Sequence, residues 1–370
     1  MTSIEQLDVQ AVLAGIDDLL PVLRERAQLT EDLRQVPQES IDSLNEIGFF
    51  KLLQPAQWDG LQCDPTVFYE AVRRIASACG STGWVASIIG VHNWHLALFD
   101  QQAQEDVWGD DSTVRISSSY APMGAGVVTE TGDGYIVNGA WNWSSGCDHA
   151  TWAFLGGPVI KDGKPVDFGS FLIPRTEYTI DDVWHVVGLK GTGSNTVVVK
   201  DVFVPRHRFL SYKAMNDHTA GGLVNNTAPV YRMPWGTIHP STIATPIVGM
   251  AYGAYDAHVE HQGKRVRAAY AGEKSKDDPF AKVRIAQAAS EIDAAVADDA
   301  RQLPVLDDHD APRLDHALGA DDDTLMDAAP GALDQLLVGQ AARQVGVAEQ
   351  GDLRRLDPQH LGEGVLDGVD

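Results

Sequence analysis

The sequence predicts an α+β protein in which a helical segment, a β segment and a second helical segment follow one another. Apolar residues recur at helical spacing early in the chain, short apolar runs between glycine turns follow, and helical spacing returns near Ile243. We therefore expect a helical domain at 1–110, a β domain at 111–215 and the first part of a helical bundle at 216–295. A tail of different composition follows at 296–370.

The first helices are predicted from one apolar stripe and from residues that cap helices. The stripe consists of Leu13, Ile16, Leu20 and Leu23. Pro21 would kink or split this helix, because proline lacks the backbone N–H that a helix interior needs. Ser40 is placed as the N-cap of a helix from Ile41 to Phe50.

Later helices are predicted to start at aspartates. Asp64–Pro65 and Asp278–Pro279 each combine a capping carboxylate with proline at the first helical position. Ser81–Phe99 is apolar nearly all round, which predicts a central, buried helix. Asp100 is expected to cap one more helix that ends near Trp108. In the second helical segment, Gly253 and its alanine neighbours permit close helix packing.

The β segment is predicted from strand-like runs and glycine turns. A hairpin joins Val127–Thr129 to Tyr135–Val137 through the turn Gly132–Gly134. Further strands are expected at Ala153–Leu155, Phe168–Ile173 and Thr196–Val204. Gly157–Pro158 and Asp162–Gly163 are interpreted as turns between them.

The composition excludes several classes of partner. The chain has 370 residues and a formal net charge of -24, which disfavours nucleic acid and anionic membrane surfaces because both are negatively charged. No apolar run is long enough to span a bilayer, and the N-terminus lacks a secretion signal. The 3 cysteines provide neither a disulfide framework nor zinc-site spacing. We expect a cytoplasmic protein without membrane insertion.

The tail differs sharply from the rest of the chain. Residues 296–370 carry 17 acidic and 5 basic side chains, and all 28 aromatic residues precede them. One interpretation is an acidic, disordered tail. The other is a frameshift product, because residue types encoded by AT-rich codons disappear together after Ala295.

Two glycine-containing segments and the flanking helices carry a family resemblance. Gly132–Gly139 leads to Trp141–Gly146, and Gly188–Ser194 leads to Val202–Pro205. Together with the helical framework, these segments resemble the acyl-CoA dehydrogenase fold over roughly residues 10 to 295. The resemblance implies an N-terminal helical domain, a central β domain and a C-terminal helical bundle, which is incomplete here.

Three further segments narrow the resemblance. Cys79–Trp84, His92–His95 and Arg115–Tyr120 are similar to the flavin-dependent phenol hydroxylases, the oxygenase components of two-component monooxygenases, and among these to the oxygenases of actinobacterial steroid catabolism. The resemblance implies ortho-hydroxylation of a phenolic secosteroid to a catechol by reduced FMN or FAD and O2, through a C4a-hydroperoxyflavin. It also implies a separate NADH-dependent flavin reductase as a partner, and a homotetramer.

The same resemblance implies a set of site residues. His92 would accept the proton of the phenol, and Ser145 would accept a hydrogen bond from flavin N5. The implied flavin contacts are Trp84, Ser118, Ser119, Tyr120, Trp143, Ser144, Ser145 and Arg265. Structural alternatives stay open: a buried hydrogen-bonded histidine for His92, a core aromatic residue for Trp84 and a solvated helix charge for Arg265.

Other functions are weighed against this interpretation. His92/His95 and His258/His261 have helical i,i+3 spacing, but no carboxylate or cysteine cluster accompanies them, so we predict no metal site. An acyl-CoA dehydrogenase is the second enzyme candidate, although no Tyr-Glu-Gly segment supplies its usual base. A flavin-binding protein inactivated by its altered C-terminus is the third. In relatives an Arg-Asp pair is followed shortly by a His-Ala pair, but no Arg-Asp pair occurs after Ala295, and His316 lies in the wrong context.

Overall fold

The computed structural model describes residues 8–120, 127–267, 273–274 and 278–302. All of them lie within one unit of the chain, Met1–Pro312. The helices before the sheet are α1 Val9–Glu25, α2 Ala27–Leu33, α3 Gln38–Glu46, α4 Pro65–Ala78, α5 Gly80–Leu96 and α6 Gln101–Trp108. The later helices are α7 Tyr212–Asn216, α8 Trp235–Lys264 and α9 Pro279–Gln302.

One mixed sheet is formed by eight strands of the described residues. They are β1 Ile116–Ser119, β2 Val127–Glu130, β3 Gly134–Ser144, β4 Trp152–Lys161, β5 Lys164–Pro174, β6 Thr179–Asp181, β7 Asn195–Pro205 and β8 Phe209–Ser211. The strand order is β6-β7-β3-β2-β4-β5-β8, and β1 pairs in parallel with β4. Two short strands, β9 Val266–Arg267 and β10 Glu273–Lys274, form a separate antiparallel pair.

The predicted order of helices, strands and helices is confirmed. Asp64 caps α4 by accepting from the backbone N–H of Thr66 at 2.8 Å, and Asp278 accepts from the backbone N–H of Phe280 at 2.9 Å. The hairpin of β2 and β3 turns at the predicted glycines, and β4 and β5 turn at Asp162–Gly163. Each of these local signals was therefore sufficient to place an element.

Ser40 does not cap a helix. Because α3 begins at Gln38, directly after Pro37, Ser40 lies inside the helix and is fully buried. Its hydroxyl instead accepts a hydrogen bond from Arg26 at 3.2 Å. The helix also ends at Glu46, before the predicted end at Phe50.

Gly157–Pro158 is not a turn, because both residues lie inside β4. On one side of β4 the partner strand changes at this point: β1 is in register with Trp152–Leu155, and β2 begins its pairing at Val159. Neither strand has a residue registered with Pro158, so a missing backbone N–H is tolerated there.

Both C-terminal helices are longer than their patterns indicated. The helix α8 begins at Trp235 rather than near Ile243, and it contains Pro240 and Pro246. Pro21 likewise lies inside α1 without ending that helix. The helix α9 continues to Gln302, past Ala295. The rest of the predicted tail, 303–370, is outside the described residues.

The buried helix α5 organises the core. It packs against α4, α8 and β1, and its side chains are almost all buried. Gly253 of α8 approaches α4 so closely that an added Cβ would lie 2.3 Å from the carbonyl oxygen of Ser77. No helix within the described ranges is long and apolar enough to cross a membrane.

Candidate active site

The end of β3 carries the first group of predicted site residues. The pairing of β3 with β7 shifts register between Trp141 and Ser144, and Trp143 adopts a left-handed φ of 62°. This conformation is uncommon for a bulky residue and marks a strained position. Trp143 is 51% exposed, whereas Ser144 and Ser145 are buried behind it.

Ser145 contacts α5 on one side and a second hydroxyl on the other. The indole Nε1 of Trp84 donates to Ser145 Oγ at 3.0 Å, and Ser194 Oγ lies 2.7 Å from Ser145 Oγ. Ser194 in turn lies 2.7 Å from Thr192 Oγ1. The structure thus joins two predicted flavin contacts directly and adds two hydroxyls from the Gly188–Ser194 segment.

The other predicted serines lie beside this group and bond to neighbouring strands. Ser144 Oγ donates to Ser117 Oγ at 3.2 Å, and Ser119 Oγ donates to the carbonyl oxygen of Asn142 at 2.6 Å. Ser118, which lies between Ser117 and Ser119 in β1, is also buried. These contacts fix β1 against the end of β3.

His92 lies about two turns after Trp84 on α5 and is fully buried. Its Nδ1 is 2.6 Å from the carbonyl oxygen of Ile116. Because a carbonyl oxygen only accepts, Nδ1 must carry the ring proton. Burial lowers the pKa of His92 to about 4, against the opposing effect of the Ile116 bond, so the ring is neutral at physiological pH. Its Nε2 therefore presents a lone pair.

His92 belongs to a cluster of aromatic and histidine side chains, and its ring centroid lies 6.5 Å from that of Tyr120. Tyr120 forms a 3.0 Å hydrogen bond with His95 Nδ1 and packs edge-on against His239, with ring centroids 4.8 Å apart. Trp235 stacks on His239 at a 4.8 Å centroid distance. We call His92, His95, Tyr120, Trp235 and His239 the histidine–aromatic cluster.

The histidine–aromatic cluster contains an unusual set of unsatisfied atoms. The Nε2 atoms of His92, His95 and His239 and the Nε1 of Trp235 are buried, and the described part of the chain offers none of them a hydrogen-bond partner. Burial lowers the pKa of His239 to about 3 and raises the pKa of Tyr120 well above its usual value. Unpaired buried polar atoms are costly, and at one locus they indicate a binding site.

Among the described residues, the Arg265 side chain forms no hydrogen bond or ion pair with Ser145 and its hydrogen-bond partners or with the histidine–aromatic cluster. It forms the C-cap of α8, where its backbone N–H donates to the carbonyl oxygen of His261 at 2.9 Å, and its side chain is exposed. Its proposed flavin contact stays a prediction. Four residues that the structure places in the site were not assigned to it from the sequence: Thr192, Ser194, Trp235 and His239. For His239, the available signal was the one used for His92, a titratable residue within an apolar helical stretch.

Curated relatives match most of this chain. It is 77% identical over 295 residues to the flavin-dependent monooxygenase oxygenase subunit HsaA of Mycobacterium tuberculosis, covering 80% of this chain and 74% of that protein. It is 40% identical over 290 residues to the oxygenase component of the FADH(2)-dependent resorcinol hydroxylase of a Rhizobium species, covering 76% and 69%. The chain belongs to the oxygenase subunits of flavin-dependent monooxygenases.

Solved structures of this oxygenase family have the same fold. The 3-HSA hydroxylase from Rhodococcus sp. RHA1 superposes with a TM-score of 0.76 at 73% identity, covering 80% of this chain and 77% of that one. The family model for the acyl-CoA dehydrogenase C-terminal domain matches residues 241–322. The acyl-CoA dehydrogenase-like fold implied by the sequence is confirmed. That model match runs past Ala295, where the sequence resemblance was expected to end.

Proposed function

We propose that this oxygenase subunit hydroxylates a phenolic secosteroid to a catechol, using reduced FMN or FAD and O2, as a step in steroid breakdown. A separate NADH-dependent flavin reductase supplies the reduced flavin. The high identity to HsaA and to a 3-HSA hydroxylase supports this substrate class, and the resorcinol hydroxylase supports a phenol more generally. We also propose the domain boundaries given above, a homotetramer and a cytoplasmic location.

The observation that carries the proposal is the neutral, directed imidazole of His92. Its Nδ1–H is held by the carbonyl oxygen of Ile116, so its Nε2 lone pair is available to a donor in the histidine–aromatic cluster. A phenol is such a donor, and it must lose its proton as its ring attacks an electrophilic oxygen. His92 is the catalytic base that accepts this proton.

The residues around Ser145 fit a flavin. Ser145 Oγ accepts one hydrogen bond from Trp84 and keeps a second accepting position, which suits the N–H at N5 of a reduced flavin. When bound, reduced flavin supplies the two electrons that activate O2. Ser145 holds the N5 proton in place, and Trp84 and the strand serines hold Ser145. Burial of this group limits the water that would release hydrogen peroxide instead of product.

The proposal is tested with the purified subunit, a flavin reductase, NADH and a phenolic secosteroid under 18O2. One oxygen atom should enter the catechol and the other should leave as water, with one flavin oxidised per turnover. Resorcinol and an acyl-CoA serve as comparison substrates. Oxidation of the acyl-CoA with an electron acceptor, or catechol without 18O, would overturn the proposal.

A further inference from the structure

A chain of hydroxyl groups runs from Ser145 into the loop before β7. Ser145 Oγ and Ser194 Oγ are 2.7 Å apart, and Ser194 Oγ and Thr192 Oγ1 are also 2.7 Å apart. Thr192 Oγ1 then donates to the carbonyl oxygen of Leu189 at 2.9 Å. All three hydroxyl residues are at most 5% exposed. Distances alone leave the direction of the two hydroxyl–hydroxyl bonds open.

The carbonyl at the end of the chain fixes those directions. A carbonyl oxygen only accepts, so the single hydroxyl proton of Thr192 is donated to the carbonyl oxygen of Leu189. Ser194 must then donate to Thr192, and Ser145 must donate to Ser194. At the other end, the Trp84 indole only donates, so Ser145 accepts from it. Every proton along the chain therefore points away from Trp84 and towards Leu189.

The hydroxyl chain ends at the carbonyl oxygen of Leu189, which accepts further hydrogen bonds. This oxygen also accepts from the backbone N–H of Thr192 at 3.2 Å and from the indole Nε1 of Trp184 at 3.0 Å. Successive hydrogen bonds that share one direction polarise each other, which strengthens the preference for that direction. With its proton committed to Ser194, Ser145 can offer a ligand only its remaining lone pair.

We propose that Ser194 and Thr192 are positioning residues that make Ser145 a pure hydrogen-bond acceptor, so that it binds flavin with N5 protonated and discriminates against oxidised flavin. Reduced flavin carries a hydrogen on N5, whereas N5 of oxidised flavin has only a lone pair. An acceptor therefore holds the first and repels the second. This inference rests on the proposed placement of Ser145 at N5. It gives a function to two hydroxyls of the Gly188–Ser194 segment.

The test compares the dissociation constants of oxidised and reduced flavin in anaerobic titrations of the full chain. In Ser194→Ala the Ser145 proton loses its acceptor and can turn towards the ligand. In Thr192→Val, Ser194 can donate to Ser145 and reverse the chain. Both variants should lower the ratio of oxidised to reduced dissociation constants by roughly three- to tenfold, the worth of one hydrogen bond.

Two control variants separate direction from packing. Thr192→Ser keeps the hydroxyl and should keep the parent ratio. Ser87→Ala removes a buried serine outside the hydroxyl chain, on α5, whose hydroxyl donates to the carbonyl oxygen of Thr242 at 2.8 Å. This variant should also keep the parent ratio. A parental ratio in both Ser194→Ala and Thr192→Val would overturn the proposal, as would an equal fall in Thr192→Ser.

A second readout needs no flavin. The Trp84 indole proton resonance, assigned with Trp84→Phe, should move upfield in flavin-free Ser194→Ala because Ser145 becomes a weaker acceptor. An unchanged resonance would contradict the hydroxyl chain. A parent that binds neither flavin form would contradict the proposed function instead, and the indole resonance would still decide the direction of the chain.

Discussion

Two polar groups on the same helix differ in how completely their hydrogen bonds are satisfied. Trp84 and His92 lie eight residues apart on α5, about 12 Å along its axis. Beside Trp84, each hydroxyl of the Ser145–Ser194–Thr192 chain donates its proton to the next acceptor in the chain. At His92, three imidazole Nε2 atoms have no partner within the described ranges.

This difference suggests a division of labour. A satisfied chain has one arrangement and presents a fixed acceptor, which suits a cofactor atom that must be held still. An unsatisfied buried cluster lacks the partners that would stabilise it, which suits a group that arrives, reacts and leaves. The predictions below test whether flavin and phenol are divided between the two groups in this way.

The largest effect is expected at His92. His92→Ala should slow single-turnover hydroxylation by roughly 10²–10⁴-fold, because it removes the lone pair that the Ile116 hydrogen bond directs, while reduced-flavin affinity changes little. Catechol formation by rapid quench measures the rate. His149→Ala is the matched control, since His149 is also buried and the same effect lowers its pKa to about 4. A comparable loss in the control would show that burial alone explains the result.

The next effect is expected at Ser145. Ser145→Ala removes the proposed acceptor at N5, and it should raise the share of hydrogen peroxide among the products by roughly tenfold. The ratio of peroxide to catechol, measured by a peroxidase assay and chromatography, reports it. Ser87→Ala again serves as the control. An unchanged ratio in Ser145→Ala would remove this residue from the flavin site.

A smaller effect is expected where Trp235 stacks on His239. Trp235→Leu should weaken binding of the phenol by roughly two- to tenfold, because an aromatic contact is lost, and leave reduced-flavin affinity at the parental value. Equilibrium titration of each ligand separates the two affinities. Trp58→Leu is the control, since Trp58 packs on Trp108, which is not a member of the histidine–aromatic cluster. Loss of flavin affinity alone would reverse the assignment.

The two groups should also differ in their effect on stability towards acid. Unfolded histidine has a pKa near 6.5, whereas burial lowers the pKa of His92 to about 4, so the unfolded chain binds more protons between these values. The contribution of His92 to the free energy of unfolding is complete above pH 6.5 and falls as the pH decreases towards 4, by roughly 1.4 kcal/mol per unit.

Denaturant titrations from pH 4.5 to 7.5 measure this dependence. His92→Gln should flatten the slope by about one proton, whereas Ser194→Ala should leave the slope unchanged because the hydroxyl chain contains no group that titrates in this range. The same slope in His92→Gln and the parent would show that His92 is not held neutral.

Local sequence signals predicted most elements and missed those that depend on tertiary context. Asp64 and Asp278 carry their capping information in the next two residues, so the starts of α4 and α9 were predicted correctly. Ser40 is also a capping residue type, but no proline follows it. Pro37 starts the helix earlier, and the Ser40 hydroxyl accepts from Arg26. Pro158 is tolerated inside β4 only because of which strands lie beside it.

The candidate site divides in the same way. Family resemblance pointed to His92, Ser145 and Trp84, and the structure shows that two of them touch. The sequence marks His239 as a titratable residue in an apolar helical stretch, but it does not show that His239 lies beside Tyr120, because the two residues come from distant segments. The same holds for Ser194 and Ser145. The direction of the hydroxyl chain depends on a backbone carbonyl, which no residue type encodes.

The most direct test mixes the subunit, loaded with reduced flavin, with O2 in the presence and absence of phenol, and follows peroxide and catechol in a single turnover. Without phenol, Ser145→Ala should release peroxide faster than the parent, and His92→Ala should match the parent. With phenol, His92→Ala should form little catechol. If His92→Ala released peroxide as fast as Ser145→Ala without phenol, the two groups would not have separate roles and the account would be wrong.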